Sequence, residues 1–311
     1  MKRTKILREL LTHKRLLVKP SGFDALSAKI IEQAGFKVMG ATGYGISAAQ
    51  LGRPDAGFLT LTEVVAVTRQ MVGATKIPII CDADTGFGNA LNVMRTTEEF
   101  IMAGAAGIHI EDQVAPKRCG HVAGKQLISL EEAVGKFRAA DRVRRELDPD
   151  FLIIARTDAR GALGGGMDEV IRRGKAYMAA GADMIFPDGL TSLQELERCV
   201  KEIAAPIHYN MSAVGVSFYA RLSQLEEMGV AIVSNPGGLL RSAMKAMWDY
   251  AQGFAAEGTE FMIRADREFD SHPTGNLHAF MGFPEIRRLE EEFLPKEETQ
   301  KKYSDSIGYQ P

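Results

Sequence analysis

Short apolar runs alternate with longer stretches of helical periodicity from near residue 15 to near residue 255. The runs at 16–19, 37–41, 77–81, 107–110, 151–155, 183–186, 206–209 and 230–234 are apolar on both faces, as strands buried within a parallel sheet are. Between them, the stretches at 25–33, 61–72, 91–103, 130–147, 168–180, 193–203 and 219–228 repeat their apolar positions with helical spacing. Helix starts carry capping signals, as in Thr60-Leu-Thr-Glu63 and Ser129-Leu-Glu-Glu132. A glycine recurs just before several strands, at Gly35, Gly107, Gly181 and Gly229. Glycine there ends a helix in the left-handed conformation and returns the chain to the sheet.

Eight such units over roughly 250 residues predict an α/β fold, a closed (β/α)8 TIM barrel. The competing open, doubly wound sheet would carry a glycine-rich phosphate turn after its first strand. Here the first run continues into Pro20-Ser-Gly-Phe-Asp24 instead. After Leu239 the pattern changes to a long helix at 239–254, a mixed polar stretch, a further helix at 284–293 and a charged tail. The expected organisation is a catalytic barrel over 1–255 with a short N-terminal extension. A helical extension over 256–311 then packs on that barrel or on a partner subunit. Met244, Met247 and Trp248 read as a packed helix face.

Composition narrows the function classes. The chain has 311 residues, 45% hydrophobic and 25% charged, with a net charge of −2, which gives no electrostatic footprint for nucleic acid or an anionic membrane. No apolar run approaches the roughly 20 residues that span a bilayer. The basic, amphipathic N-terminus lacks the apolar core and cleavage site of a secretory signal, and Glu9 with an early strand speaks against an organellar presequence. Cys81, Cys119 and Cys199 are too few and too scattered for a disulfide framework or a zinc motif. A cytoplasmic setting is the simplest expectation.

Chemistry in a barrel collects just past the C-terminal ends of the strands. There the chain reads Asp82-Ala-Asp-Thr-Gly-Phe-Gly88, His109-Ile-Glu-Asp-Gln113, Ala155-Arg-Thr-Asp158, Phe186-Pro-Asp188 and Tyr209-Asn210. Asp82 and Asp84 stand two apart, which on an extended strand aims both one way, and Glu111 comes from the next strand. Carboxylates that close raise one another's pKa unless a cation joins them, and Mg²⁺ suits few carboxylates plus water and substrate oxygens. Separate polar caps on strand ends are the plainer alternative. Lys117-Arg-Cys-Gly-His121 lies in a polar segment of about fifteen residues, longer than most βα loops, and such loops are often lids. Cations on both sides of Cys119 would lower its pKa; the alternative is a basic surface loop with an incidental cysteine. Arg156 at a strand end either holds an anion or pairs with Asp158 or Glu111. Cys81 and Cys199 read as packing residues, and His109 as a satisfied core histidine.

With Leu51-Gly-Arg-Pro-Asp55, Ala103-Gly-Ala-Ala-Gly107, the cysteine loop and Ala155-Arg-Thr-Asp-Ala159, these motifs occur in an order that resembles the isocitrate lyase / phosphoenolpyruvate mutase superfamily. The pattern is nearest to its 2-methylisocitrate lyase and 2,3-dimethylmalate lyase-like members, from about residue 23 to residue 244. The resemblance implies a barrel whose terminal helices are exchanged between subunits of a homotetramer. It also implies a Mg²⁺ site, with Mn²⁺ a substitute, in which Asp84 is the direct ligand and Asp82, Asp55 and Glu111 act through water or nearby. Lys117 to His121 matches the mobile gating loop, Cys119 the catalytic acid and Arg156 the residue that holds the reacting end of the substrate. Thr42-Gly43-Tyr44 matches the segment that holds the 2-oxo-acid carboxylate, and Asn210 and Arg241 match residues on the far side of the site.

The implied reaction is cleavage of a small 2-hydroxy di- or tricarboxylate to a 2-oxo acid such as pyruvate plus a carboxylate. Oxaloacetate hydrolysis or decarboxylation is the alternative. Phosphonopyruvate C–P chemistry ranks lower, because Cys119-Gly120 stands where those members carry Asn-Ser. Three departures touch the expected substrate pocket: Asp188 where lyases carry Glu, Tyr44 where methylisocitrate lyases carry a small residue, and Ala213 where a glutamate is expected. They leave the distal group of the substrate open, and the general base is not identified.

Overall fold

The computed structural model describes residues 1–212, 215–304 and 306–311. Eight parallel strands carry the fold: β1 (Leu17–Gly22), β2 (Met39–Ala41), β3 (Ile79–Asp82), β4 (Gly107–Glu111), β5 (Leu152–Thr157), β6 (Met184–Pro187), β7 (His208–Asn210) and β8 (Ile232–Asn235). The helices interleaved with them are α1 (Arg3–Thr12), α2 (Ala25–Gln33), α3 (Gly43–Leu51), α4 (Leu61–Ala74), α5 (Ala90–Met102), α6 (Leu130–Leu147), α7 (Met167–Ala179), α8 (Leu193–Ile203) and α9 (Leu222–Met228). After β8 come α10 (Gly238–Glu257), α11 (Thr259–Asp270), α12 (Leu277–Met281), α13 (Phe283–Phe293) and α14 (Lys296–Ser304).

The strands pair in the order β6-β5-β4-β3-β2-β1-β8-β7. A parallel bridge between Ile185 and Ile207 brings the two ends together. The ring is therefore a (β/α)8 barrel, as the alternation predicts. Side chains alternate across it. Ile79, Cys81, Ile108, Ile110, Ile153, Ile185 and Val233 face outward and meet Val64, Met71, Phe100, Phe137, Tyr177 and Leu196 of the helices in the main core. Burying each of the larger side chains contributes about 1.5–3 kcal/mol. Ile80, Ile154, Met184, Phe186 and Ile232 face inward and form a second apolar cluster with Leu7 of α1.

That first helix closes the N-terminal mouth of the barrel. Arg8 donates to the Asp150 and Phe151 carbonyls at 2.9 and 3.0 Å and pairs with Asp183 at 2.9 Å. Arg3 donates to the Val72 and Thr75 carbonyls, and Thr4 to Asp148 at 3.1 Å. The basic N-terminal stretch is thus structural, a plug sewn to the loops beneath β3, β5 and β6.

The capping signals are realised. Thr60 and Glu63 bond reciprocally, and Ser129 accepts from the Glu132 N–H at 3.1 Å. Of the strand-leading glycines, Gly35, Gly181 and Gly229 take positive φ. Gly107 does not. It lies in β4, where a Cβ would come within 2.6 Å of the Leu152 carbonyl oxygen, and Gly104 ends the helix in its place.

The chain divides into two compact units, Met1–Ser242 and Ala243–Pro311, a boundary that lies within α10. The expectation of a packed face on that helix is not met in this chain. Met244, Met247 and Trp248 are exposed, and α10 has no buried residue. Among the described residues, no helix is long and apolar enough to cross a membrane.

Candidate active site at the barrel rim

Inward alternation sets which rim residues face one another. On β3 it turns Asp82 inward, on β4 His109 and Glu111, on β5 Arg156, on β7 Asn210. All are buried, as are Asp84 and Asp188. Asp82 and Asp84 do converge, but not through strand geometry. β3 ends at Asp82, and Asp84 stands in a turn with φ of +44°, its N–H donating to Asp82 Oδ1 at 3.0 Å. The left-handed turn, to which aspartate adapts better than most residues, does what a longer strand would have done.

Thr42 precedes α3, a helix that the apolar pattern does not predict. Its first N–H, that of Gly43, donates to Asp82 Oδ2 at 3.3 Å. A Cβ at Gly43 would meet Asp82 Oδ2 at 2.8 Å and Asp84 Oδ1 at 3.5 Å. Glycine therefore lets a helix N-terminus, a natural anion seat, approach both carboxylates. Tyr44, on the first turn, is exposed.

Lys117 is buried among these acids, 2.5 Å from Asp55 and 2.8 Å from Asp84. Burial works against its charge, yet Asp84, Glu111, Asp55 and Asp82 together hold its pKa well above the ordinary lysine value. Burial raises Asp84 to about 6, with Asp82 and Asp55 adding to it and Lys117 opposing. Glu111 is also raised by burial, against Arg156 and Lys117. Asp82 goes the other way: burial is outweighed by His109, Lys117 and Arg156.

Arg156 is the hub of the opposite side. It binds Asp158 through two bonds of 2.9 and 3.1 Å, Asp188 at 2.8 Å, and lies 3.3 Å from Glu111. Its guanidinium also stands 5.2 Å over the Phe186 ring. The ion pairs expected as an alternative to anion binding are thus present, all at once. Asp188 accepts in addition from the Asn210 amide at 3.0 Å and lies 3.8 Å from His121. Burial would raise Asp188, but Arg156, His121 and that amide bring it down to about 2.

The loop between β4 and α6 lies against this rim. Its base is an antiparallel pairing of Gln113 with Leu127. The Cys119 N–H donates to the Asp55 carbonyl at 3.1 Å. A Cβ at Gly120 would collide with Asp188 and Arg156 and come within 2.8 Å of Asp158, so only glycine permits this approach. The expected lowering of the Cys119 pKa is corrected: it is raised, chiefly by burial, with Asp55 and Asp188 adding to the effect. The flanking cations point elsewhere, Lys117 to Asp55 and Asp84, and Arg118 to the Ala123 carbonyl. The loop is no incidental basic surface.

Other expectations sort themselves by burial. Cys81 and Cys199 are buried, with thiols pushed up to about 12 by desolvation. His109 is not a satisfied core histidine. Its ring packs against Phe186 and His208, and Nδ1, 3.5 Å from Asp82, makes no hydrogen bond. Arg241 is exposed on α10, and among the described residues no hydrogen bond or ion pair joins its side chain to the cluster. Ala213 lies outside the described residues. Lys19 and Lys125 belong to the cluster or its supports and were not singled out from sequence; Asp158 was named only as a possible partner of Arg156, and Gln113 only as the end of a rim motif. A lysine inside an apolar strand run is the one signal that marks Lys19.

The donor set suits a hard divalent cation. Neither Glu111 oxygen has a hydrogen-bond partner, and Asp84 Oδ1 has only the Lys117 ammonium at 2.8 Å, a carboxylate surplus that a cation relieves. Among the described residues, no three acidic, histidine or cysteine side chains form a ready-made ligand set; the Lys117 ammonium supplies positive charge there.

Residues 7–255 match the family model described as phosphoenolpyruvate phosphomutase. The chain is 42% identical to 2,3-dimethylmalate lyase of Eubacterium barkeri over 288 residues, which is 92% of this chain and 96% of that one. It is 41% identical to 2-methylisocitrate lyase of Aeropyrum pernix, over 82% of this chain and 80% of that one. Among solved structures, oxaloacetate acetylhydrolase in complex with the inhibitor 3,3-difluorooxalacetate superposes with a TM-score of 0.85 at 31% identity, covering 94% of this chain and 97% of that one. Phosphonopyruvate hydrolase, in a complex with oxalate and Mg²⁺, gives 0.79 at 30% identity, covering 95% and 100%.

Proposed function

Because the chain belongs to the PEP mutase/isocitrate lyase superfamily, we propose that it is a carbon–carbon lyase. It cleaves a 2-hydroxy di- or tricarboxylate of the 2,3-dimethylmalate or 2-methylisocitrate type to a 2-oxo acid such as pyruvate and a carboxylate. The observation that carries this reading is the facing of two unlike halves across one rim. Carboxylates with unsatisfied oxygens stand on one side, a guanidinium on the other, and a protonated thiol on the loop above.

Asp84, with Asp82, Asp55 and Glu111 around it, would hold Mg²⁺ or Mn²⁺, which when bound supplies Lewis-acid polarisation of the substrate's carboxylate and 2-oxygen. The chain's own residues do the rest. The Gly43 N–H donates to Asp82, and the following N–H groups in the first turn of α3 would receive the substrate carboxylate. Transfer of the 2-hydroxyl proton to a basic group of the rim lets the C2–C3 bond break. Its electron pair passes to the departing carboxylate fragment as an enolate, next to Arg156, and stabilising such charge is where preorganised cations help most. Cys119 then delivers a proton to C3. A raised pKa suits that task, because the thiol keeps its proton near neutral pH. Closure of the Cys119 loop keeps water from the enolate.

In the same reading the protein is a homotetramer that exchanges its C-terminal helices. The exposed Met244, Met247 and Trp248 support this, and light scattering tests it.

The deciding experiment is a screen of 2-hydroxy diacids and triacids with Mg²⁺, scoring pyruvate and glyoxylate separately, in wild type and Cys119→Ser. Cleavage of at least one substrate by the wild type, with most turnover lost in the variant, is the expected result. Consumption of oxaloacetate alone, undiminished by the substitution, would replace the lyase with a hydrolase or decarboxylase.

A further inference from the structure

Cys119 has little rigid structure of its own to hold it. It lies in a loop of extended and bent backbone, outside any helix or strand. Its neighbours are nonetheless fixed on both sides by side chains from the same loop. The Gln113 amide bonds the Arg118 peptide twice, accepting from its N–H at 3.0 Å and donating to its carbonyl at 2.8 Å. On the other side Lys125, buried to 3% exposure, donates from Nζ to the Gly120 carbonyl and lies 3.4 Å from Asp158 Oδ1. The backbone of Lys125 is anchored in turn, its carbonyl accepting from the Leu163 N–H at 3.1 Å.

Resting on the lyase reading, we propose that Lys125 is a positioning residue, a latch whose ammonium joins the Gly120 peptide to Asp158 and so holds Cys119 over the reacting carbon. The argument is one of charge and reach. A buried ammonium needs acceptors, and here one comes from the loop, at Gly120, and the other from the end of β5, at Asp158. Asp158 is the carboxylate that receives two hydrogen bonds from Arg156. One oxygen, Oδ1, therefore serves both the residue that faces the departing charge and the residue that fixes the proton donor. Loop closure and guanidinium alignment share a partner, so opening the loop also removes a cation from the group that orients Arg156. Gln113 on the far flank does not make this link, because both of its bonds stay within the loop.

The test uses the full-length enzyme and reads Cys119 directly. Cys81 and Cys199 are buried, so iodoacetamide modification mapped by peptide mass reports the loop. In Lys125→Met, modification of Cys119 should be at least tenfold faster, and protection by magnesium plus oxalate should be lost. kcat should fall at least tenfold with KM changed less than threefold. Lys125→Arg, which keeps charge and donors, should regain at least part of the protection. If Lys125→Met does not accumulate as folded protein, Lys125→Gln carries the same expectation, since an amide cannot replace the ion pair. A folded Met or Gln variant with parental modification rate and kcat overturns the proposal, as does an Arg variant no better protected than the Met one. A wild type that cleaves no hydroxy acid while Lys125→Met still exposes Cys119 sinks the lyase reading and leaves the latch. An active lyase whose Cys119 stays covered without Lys125 sinks the latch alone.

Discussion

Glu111 and Asp112 are adjacent acids on one strand end, and the barrel treats them in opposite ways. Asp112 points away from the rim and is saturated. It accepts from Thr157 and Tyr177 hydroxyls at 2.7 Å each, from Arg173 at 3.1 Å and from the Asp158 N–H at 3.0 Å. Glu111 points in and has no hydrogen bond to either oxygen, with Arg156 3.3 Å away. A buried acid with every lone pair engaged is scaffold, because each missing bond would leave an unpaired donor in low dielectric. A buried acid left short of partners calls for one, and in the proposed reading that partner is the divalent ion. The contrast separates structure from chemistry within two residues.

Four substitutions sharpen or break it. Asp112→Ala should have the largest effect, a loss of about 3–5 kcal/mol from leaving the Thr157 and Tyr177 hydroxyls and the Asp158 N–H without their acceptor, while Arg173 keeps Glu169, seen as a fall in Tm of roughly 5–8 °C. A change within a degree or two would remove Asp112 from the scaffold. Arg156→Lys comes next. A lysine cannot reach Glu111, Asp158 and Asp188 together, and kcat/KM should drop roughly 10²–10³-fold; retained turnover would mean the hub is only structural.

Lys19→Met tests the barrel interior. Burial lowers the Lys19 pKa to about 8, against the pull of Asp82 and Cys81. A depressed lysine makes the folded state bind fewer protons than the unfolded one between about pH 8 and the ordinary lysine value. Stability therefore rises with pH through that window, and below it burial of the charge costs at most about 3 kcal/mol. The methionine variant should be more stable than wild type at pH 7 and lose that advantage by pH 10. Equal melting curves at both pH values would show the ammonium to be fully compensated. Glu111→Gln should change the stability of the metal-free protein least, by less than about 1 kcal/mol, because a raised pKa already favours the neutral acid. Thermal shifts with and without Mg²⁺ check it: the rise on adding the ion should shrink in the variant, and an undiminished rise would take Glu111 out of the ion's surroundings.

The barrel was legible because a parallel sheet covered on both faces leaves a local mark, eight short apolar runs at regular spacing. Rim acids were legible for a similar reason: polar residues at the ends of such runs have few structural uses. What escaped was set by long-range pairing. Nothing near Cys119 in the sequence says that Lys117 reaches back to Asp55 and Asp84, leaving a buried thiol that Asp55 and Asp188 raise further while only Arg156 among the cations opposes them. The same holds for Lys125, whose partner Asp158 lies on another strand end. Asp84 was placed correctly for the wrong reason, since a positive φ is invisible to periodicity. α3 was missed because its small residues, with glycine at positions 43 and 45, give almost no amphipathic signal.

Leu7 has a consequence for traffic. With Ile80, Ile154, Met184 and Ile232 it fills the floor of the barrel, so the carboxylate rim is the face left open to solvent. Under the proposed lyase reading, substrate would enter and both fragments leave by that one face, and the deeper of the two would have to depart second.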